Sequence, residues 1–106
     1  MRLMGSGEEV EVLRQVISNV HGCESRHVES IHVLETYQGQ TVWDGQVQVF
    51  DLCEPYVGRK CFAWGCVDEH PRKQRRYVTV LEAPTVRSAS EAVRASLISD
   101  ARTWPN

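Results

Sequence analysis

Between Val42 and Leu52 the side chains alternate. Trp43, Val47 and Val49 are apolar, and Asp44, Gln46 and Gln48 between them are polar. A period of two marks a β-strand with one face on a core and the other in or near water. Upstream, His27–Tyr37 predicts a partner strand with Ile31, Val33 and Tyr37 on one face and Val28, His32 and Leu34 on the other. Lys60–Val67 predicts a third strand that is apolar on both faces, with Phe62, Trp64 and Cys66 opposed to Cys61, Ala63, Gly65 and Val67. Arg76–Glu82 predicts a fourth, with Tyr77 and Leu81 on one side and Val78 and Val80 on the other.

Helical spacing brackets these strands. Val10, Leu13, Ile17 and Val20 recur at intervals of three and four, and Val16 widens the stripe. Ser6 and Glu9 have the spacing of a capping box, and Gly22 is placed to end the helix, so a helix is expected over about residues 7–21. Pro84 breaks the sheet, Ser88 with Glu91 repeats the capping box, and Val93, Leu97, Ala101 and Trp104 follow at helical spacing up to Pro105. The expected fold is therefore α+β: a four-stranded antiparallel meander sheet flanked by an N-terminal and a C-terminal helix, in the order α-β-β-β-β-α.

The first hairpin allows a register to be argued. Pairing positions that sum to 80 sets Tyr37 opposite Trp43, Val33 opposite Val47 and Ile31 opposite Val49, with a three-residue loop. In that register His32 faces Gln48. A one-residue slip would set Glu35 against Asp44, which the like charges disfavour. The third and fourth strands need cover on both faces, because a monomer seldom exposes a large contiguous apolar patch. A helix on each face or a homodimer supplies that cover more readily than a pocket does.

Composition agrees with one small globular domain over 1–106, with an ordered core over about 7–104. The chain has 106 residues, 42% hydrophobic and 25% charged. No apolar run approaches the roughly 20 residues needed to cross a bilayer, and MRLMGSGEE lacks a signal-peptide core. A cytoplasmic protein with reduced cysteines is the expectation. The native start is equally readable at Met1 or Met4.

Candidate chemistry is thin. Cys53, Cys61, Cys66 and His70 suggest zinc, but Cys61 and Cys66 lie five apart on one strand and point to opposite faces, so no metal is assigned. His32, Glu35, Tyr37 and Asp44 are candidate catalytic groups. His32 and Asp44 share one face and Glu35 and Tyr37 the other, so no single cluster holds all four. No nucleophile elbow, P-loop or dinucleotide fingerprint appears, and an enzyme is not favoured; no cofactor is implied. Arg72, Lys73, Arg75 and Arg76 form a basic loop with a nucleic-acid reading. The net charge of −2 and the acidic first helix argue against that reading. Tyr37, Trp43, Phe62, Trp64, Val78 and Val80 are the set for a ligand site or an interface, since aromatic side chains are enriched where proteins bind.

The runs ETYQGQTVWDGQVQVFDL, CFAWG, RRYVTVLEAP and AVRASL, within about residues 30–98, resemble small uncharacterised bacterial proteins of the kind carried on mobile elements such as integron gene cassettes. That resemblance implies a bacterial, cytoplasmic, stand-alone α+β protein, often oligomeric, and it transfers no catalytic residue. Three functional expectations result. The first is a homodimeric binding or interaction protein. The second is a small-molecule-binding protein or enzyme with a cleft near Tyr37 and Trp43. The third is nucleic-acid binding through residues 72–76.

Overall fold

A computed structural model describes the backbone of residues 6–68 and 74–103, with side chains for residues 7–66 and 76–99. The elements are α1 (Ser6–His21), β1 (Ser25–Tyr37), β2 (Gln40–Leu52), β3 (Lys60–Asp68), β4 (Gln74–Leu81) and α2 (Ala89–Thr103). The strands form one open antiparallel sheet in the order β1-β2-β3-β4. The α-β-β-β-β-α order read from periodicity is the order observed. No described helix is long and apolar enough to cross a membrane.

The end of α1 and the start of α2 have local causes. Gly22 adopts φ 72° and its N–H donates to the Ser18 carbonyl at 2.9 Å, which ends α1 in a left-handed cap. The Ser88 hydroxyl accepts the Glu91 N–H at 3.2 Å, and the Glu91 carboxylate accepts the Arg87 N–H at 2.8 Å. The carboxylate thus satisfies the N–H one residue before the cap.

The β1–β2 register differs from the expectation by two. Ile31 faces Val47, Val33 faces Gly45, Glu35 faces Trp43 and Tyr37 faces Gln40, and His32 faces Gln46 rather than Gln48. The turn decides it. Gln38 and Gly39 stand at φ 52° and 79°, a two-residue loop with both central residues left-handed, whose twist matches the flanking strands. The register also shifts between Glu35 and Thr36, where Val42 is the extra residue on β2, and between His27 and Glu29, where Val28 is extra on β1. Between the two bulges a shift of two leaves the side chains on their expected faces although the partners change, whereas beyond Val28 the parity reverses and His27 turns to the α1 side beside Phe50.

The two sheet faces have separate cores. On one face Leu13 and Ile17 of α1 pack with Cys23, Phe50, Leu52, Cys61 and Ala63. On the other Ala89, Ala92 and Val93 of α2 pack with Val33, Val47, Val49, Phe62 and Trp64. β3 is thereby covered on both faces within one chain, by a helix on each, whereas β4 keeps Val78 and Val80 half-buried on the α2 side. Two positions depart from the expected stripes. Val20 is 62% exposed, because the sheet-facing stripe runs through Leu13 and Ile17 to His21, whose Nε2 pairs with Thr79 Oγ1 at 2.7 Å, and Val20 lies beside that stripe. Gln48, expected on a wet strip, is 2% exposed, and its side-chain oxygen accepts from Ser30 Oγ and from His27 Nε2 at 2.8 Å. Two donors offset the burial of that amide.

Candidate ligand cavity beneath the C-terminal helix

α2 lies over β1 and β2 rather than centrally on the sheet. Its buried positions face the hairpin, and the side turned toward β4 carries Ala95, Ser96 and Ser99. Small side chains there cannot reach the strand. A cleft of about 310 Å³ consequently runs between α2 and Val78, Thr79 and Val80.

Past Val78 and Ser96 the cleft deepens into a more enclosed cavity of about 200 Å³. Trp43 and Trp64 form part of its wall, edge to face with ring centroids 5.8 Å apart and planes at 69°. Val78, Val93 and Leu97 add apolar surface, Ser96 and Cys66 add weakly polar atoms, and Arg76 contributes a guanidinium. The Trp43 indole reaches this position across Gly45. A Cβ on Gly45 would lie 2.9 Å from the far edge of the indole, so the Asp44-Gly45 pair, which is a common turn signal, serves here as a flat spot in a strand.

On the other side of α2, beside the hairpin tip, is an open groove of about 490 Å³ lined by Tyr37, Val42, Leu97 and Ile98 with Glu35 and Arg94. Arg94 Nε donates to Glu35 at 2.8 Å across the groove wall, so both charges are committed. Tyr37, Val42 and Ile98 are exposed. Leu97 borders the groove and the cavity alike.

The remaining candidates are placed as follows. Phe62 and Trp64 are buried in the α2-side core, while Val78 and Val80 are half-buried along the cleft. Tyr37 and Trp43 share a face, yet Tyr37 stands at the groove and Trp43 at the cavity. His32 and Asp44 form a hydrogen-bonded pair at 2.5 Å with both side chains 58% exposed, on the opposite face from Glu35. An open dyad of that kind has nothing around it to exclude water or hold a substrate. Arg72 and Lys73 lie outside the described residues, as does the Arg75 side chain, and Arg76 is exposed.

The cysteines separate by face. Cys61 is fully buried under α1, Cys66 packs toward α2, and Cys53 is exposed; His70 is outside the described residues. Burial pushes the Cys61 thiol up to about 12. Among the described residues no group of three His, Cys, Asp or Glu is arranged to hold a metal ion.

One further hollow, of about 220 Å³, lies between α1 and the start of β1. Arg14 is its central group and is fully engaged, with Glu11 at 2.7 Å, Glu24 at 3.9 Å and the Ser25 carbonyl at 3.1 Å. This is an ion-pair cluster, and its charge is neutralised internally.

The residues that sequence reasoning missed are Val93, Ser96, Leu97 and Cys66. Val93 and Leu97 read as helix core. The available signal was the ASLIS run, which puts small residues beside a large-residue stripe on one helix. No protein-family model, curated protein or solved structure matches the chain.

Proposed function

We propose that this chain is a non-enzymatic binding protein for a small, largely apolar molecule, held in the cavity between α2 and β2–β4. The observation that carries the reading is the edge-to-face Trp43–Trp64 pair on the wall of a half-open hollow of about 200 Å³. Ligand sites are concave and mostly apolar with a few polar groups, which matches this lining. The volume is below the usual range for drug-sized ligands, about 300–1,000 Å³, so the ligand is compact. The committed Glu35–Arg94 pair and the open His32–Asp44 pair supply no enclosed acid–base group, which is why binding is preferred to catalysis.

The test is tryptophan emission during titration with small neutral rings such as benzamide and phenol. A saturable change in the native protein that disappears when Ser96→Leu fills the cavity supports the reading. A native response that does not saturate, or one that Ser96→Leu leaves intact, rejects it.

A second reading has its own observation. Tyr37, Val42 and Ile98 are exposed apolar side chains around one groove, a surface of the kind that a second copy covers in a homodimer. Light scattering during gel filtration tests it: a dimer that Ile98→Ser converts to monomer supports this reading, and a monomer across the accessible concentration range removes it.

A further inference from the structure

At the end of the sheet where β3 begins and β4 ends, two arginines border one hollow of about 470 Å³. Its lining is Arg59, Glu82, Ala83, Pro84 and Arg87, none of which belongs to the tryptophan cavity. Both arginines stand on fixed backbone. The Arg59 N–H donates to the Tyr56 carbonyl at 3.0 Å, and the Arg59 carbonyl accepts the Leu52 N–H at 3.1 Å. Its guanidinium donates through Nε, at 3.2 Å, and through Nη2 to the Glu82 carbonyl, and lies 5.6 Å from the centre of the Tyr56 ring. Arg87 follows the turn 83–86, which Ala83 and Val86 close by exchanging N–H···O bonds of 3.0 and 2.9 Å. The Arg87 N–H is held in turn by the Glu91 carboxylate at 2.8 Å.

Neither guanidinium is neutralised by a carboxylate partner. A guanidinium has five N–H donors, and Arg59 directs two of them at a neutral carbonyl. Among the described residues no carboxylate forms an ion pair with Arg59 or Arg87. His21 feels the consequence: burial lowers its pKa, and the Arg59 charge lowers it further. Glu82 is the one acidic residue in the lining, and its Oε1 accepts the Lys60 N–H at 3.1 Å. The lining therefore holds two positive charges and one negative charge. Asp68 ends β3 about 26 Å along the strand from Lys60, and Asp100 is about 16 Å along α2 from Ala89, so both stand well away from this end of the molecule.

We propose that this hollow binds a small phosphomonoester, with its phosphate between Arg59 and Arg87 and its organic group on Ala83 and Pro84. Guanidiniums recognise carboxylates and phosphates through paired N–H···O bonds. One fork already satisfies the two oxygens of a carboxylate, whereas two forks suit the three terminal oxygens and the charge of nearly −2 on a phosphomonoester. Because Glu91 already caps α2, the two guanidiniums rather than the helix dipole carry the attraction. The volume lies within the range of small-molecule sites, about 300–1,000 Å³, and the apolar surface of Ala83 and Pro84 gives an organic group something to cover. A nucleic-acid groove needs an extended positive track, which Glu82 interrupts here.

The experiment titrates propyl phosphate, inorganic phosphate and butyrate into the protein by calorimetry, at low salt and without phosphate buffer. It uses the native chain, Arg87→Gln, Arg87→Lys and, as a charge control outside the hollow, Arg94→Gln. Propyl phosphate is expected to bind saturably, and more tightly than either inorganic phosphate or butyrate. Arg87→Gln should weaken it about tenfold, the size of a lost hydrogen bond between charged groups. Arg87→Lys should weaken it less, because the charge remains without the fork, and Arg94→Gln should leave it within about twofold. Inorganic phosphate binding as tightly as propyl phosphate overturns the ester assignment, and butyrate binding as tightly overturns the phosphate assignment. No saturable binding by the native chain, or binding that Arg87→Gln and Arg94→Gln affect equally, overturns the site. Arg87 is exposed, so its substitution leaves both cores intact, and a thermal melt of each variant verifies this.

Discussion

The placement of one helix on each sheet face makes a quantitative claim about stability. Leu13 is fully buried among α1-side residues, and Val93 is fully buried among α2-side residues. Leu13→Ala should cost about 3 kcal/mol, within the range for truncating a buried leucine. Val93→Ala removes less volume and should cost about 2 kcal/mol. Their sum, about 5 kcal/mol, approaches the whole stability of many domains of this size, so the double variant risks unfolding. A milder pair serves better. Ile17→Val on α1 should cost about 1 kcal/mol, and combined with Val93→Ala the total should be about 3 kcal/mol.

The two clusters share no residue, so the double-mutant cycle should close to within about 0.5 kcal/mol. Urea unfolding followed by tryptophan emission measures it, with the slope on denaturant unchanged across the set. Val20→Ala is the internal control: Val20 sits on the same helix but is 62% exposed, and its truncation should move stability by less than about 0.5 kcal/mol. A coupling above about 1 kcal/mol, or a Val20 effect equal to that of Ile17, would refute the placement of the helices on opposite faces.

Four further outcomes are expected. Gly39→Ala should cost about 1 kcal/mol in urea unfolding; nothing lies near its missing Cβ, so the whole effect is the left-handed backbone at φ 79°. Gly45→Ala should shift native tryptophan emission, because its methyl would stand 2.9 Å from the Trp43 ring and push the indole from the cavity wall; an unchanged spectrum would rule that packing out. At alkaline pH the buried Cys61 thiol stays protonated up to about 12 while its unfolded counterpart ionises near 9, so the native state holds the extra proton and loses stability as pH rises between those values. Unfolding at pH 8, 9.5 and 10.5 measures the trend, and Cys61→Ala should flatten it. Separately, a thiol reagent at pH 8 should label exposed Cys53 rapidly and Cys61 only on unfolding.

Much of this protein follows from local physics that a sequence carries openly. Alternation put Val33, Val47 and Val49 on one face, the Ser88–Glu91 capping box and Gly22 bounded helix ends, and the doubly apolar β3 and β4 required cover on both sides. These are nearest-neighbour properties of the chain, set by the periods of strand and helix. The pairing partners were not of that kind. Faces depend on parity, whereas partners depend on the turn, and Gln38-Gly39 with an extra Val42 moved the register by two while the faces between the two bulges stayed as expected. The site was less legible still. That Trp43 and Trp64 meet, that Asp44-Gly45 is a resting place for an indole, and that Ser96 and Ala95 leave a space beside β4 all depend on where α2 sits over the sheet. Helix position is fixed by the summed packing of residues far apart in the chain, and only the tertiary structure brings Arg76 to the rim of the space that the tryptophans enclose.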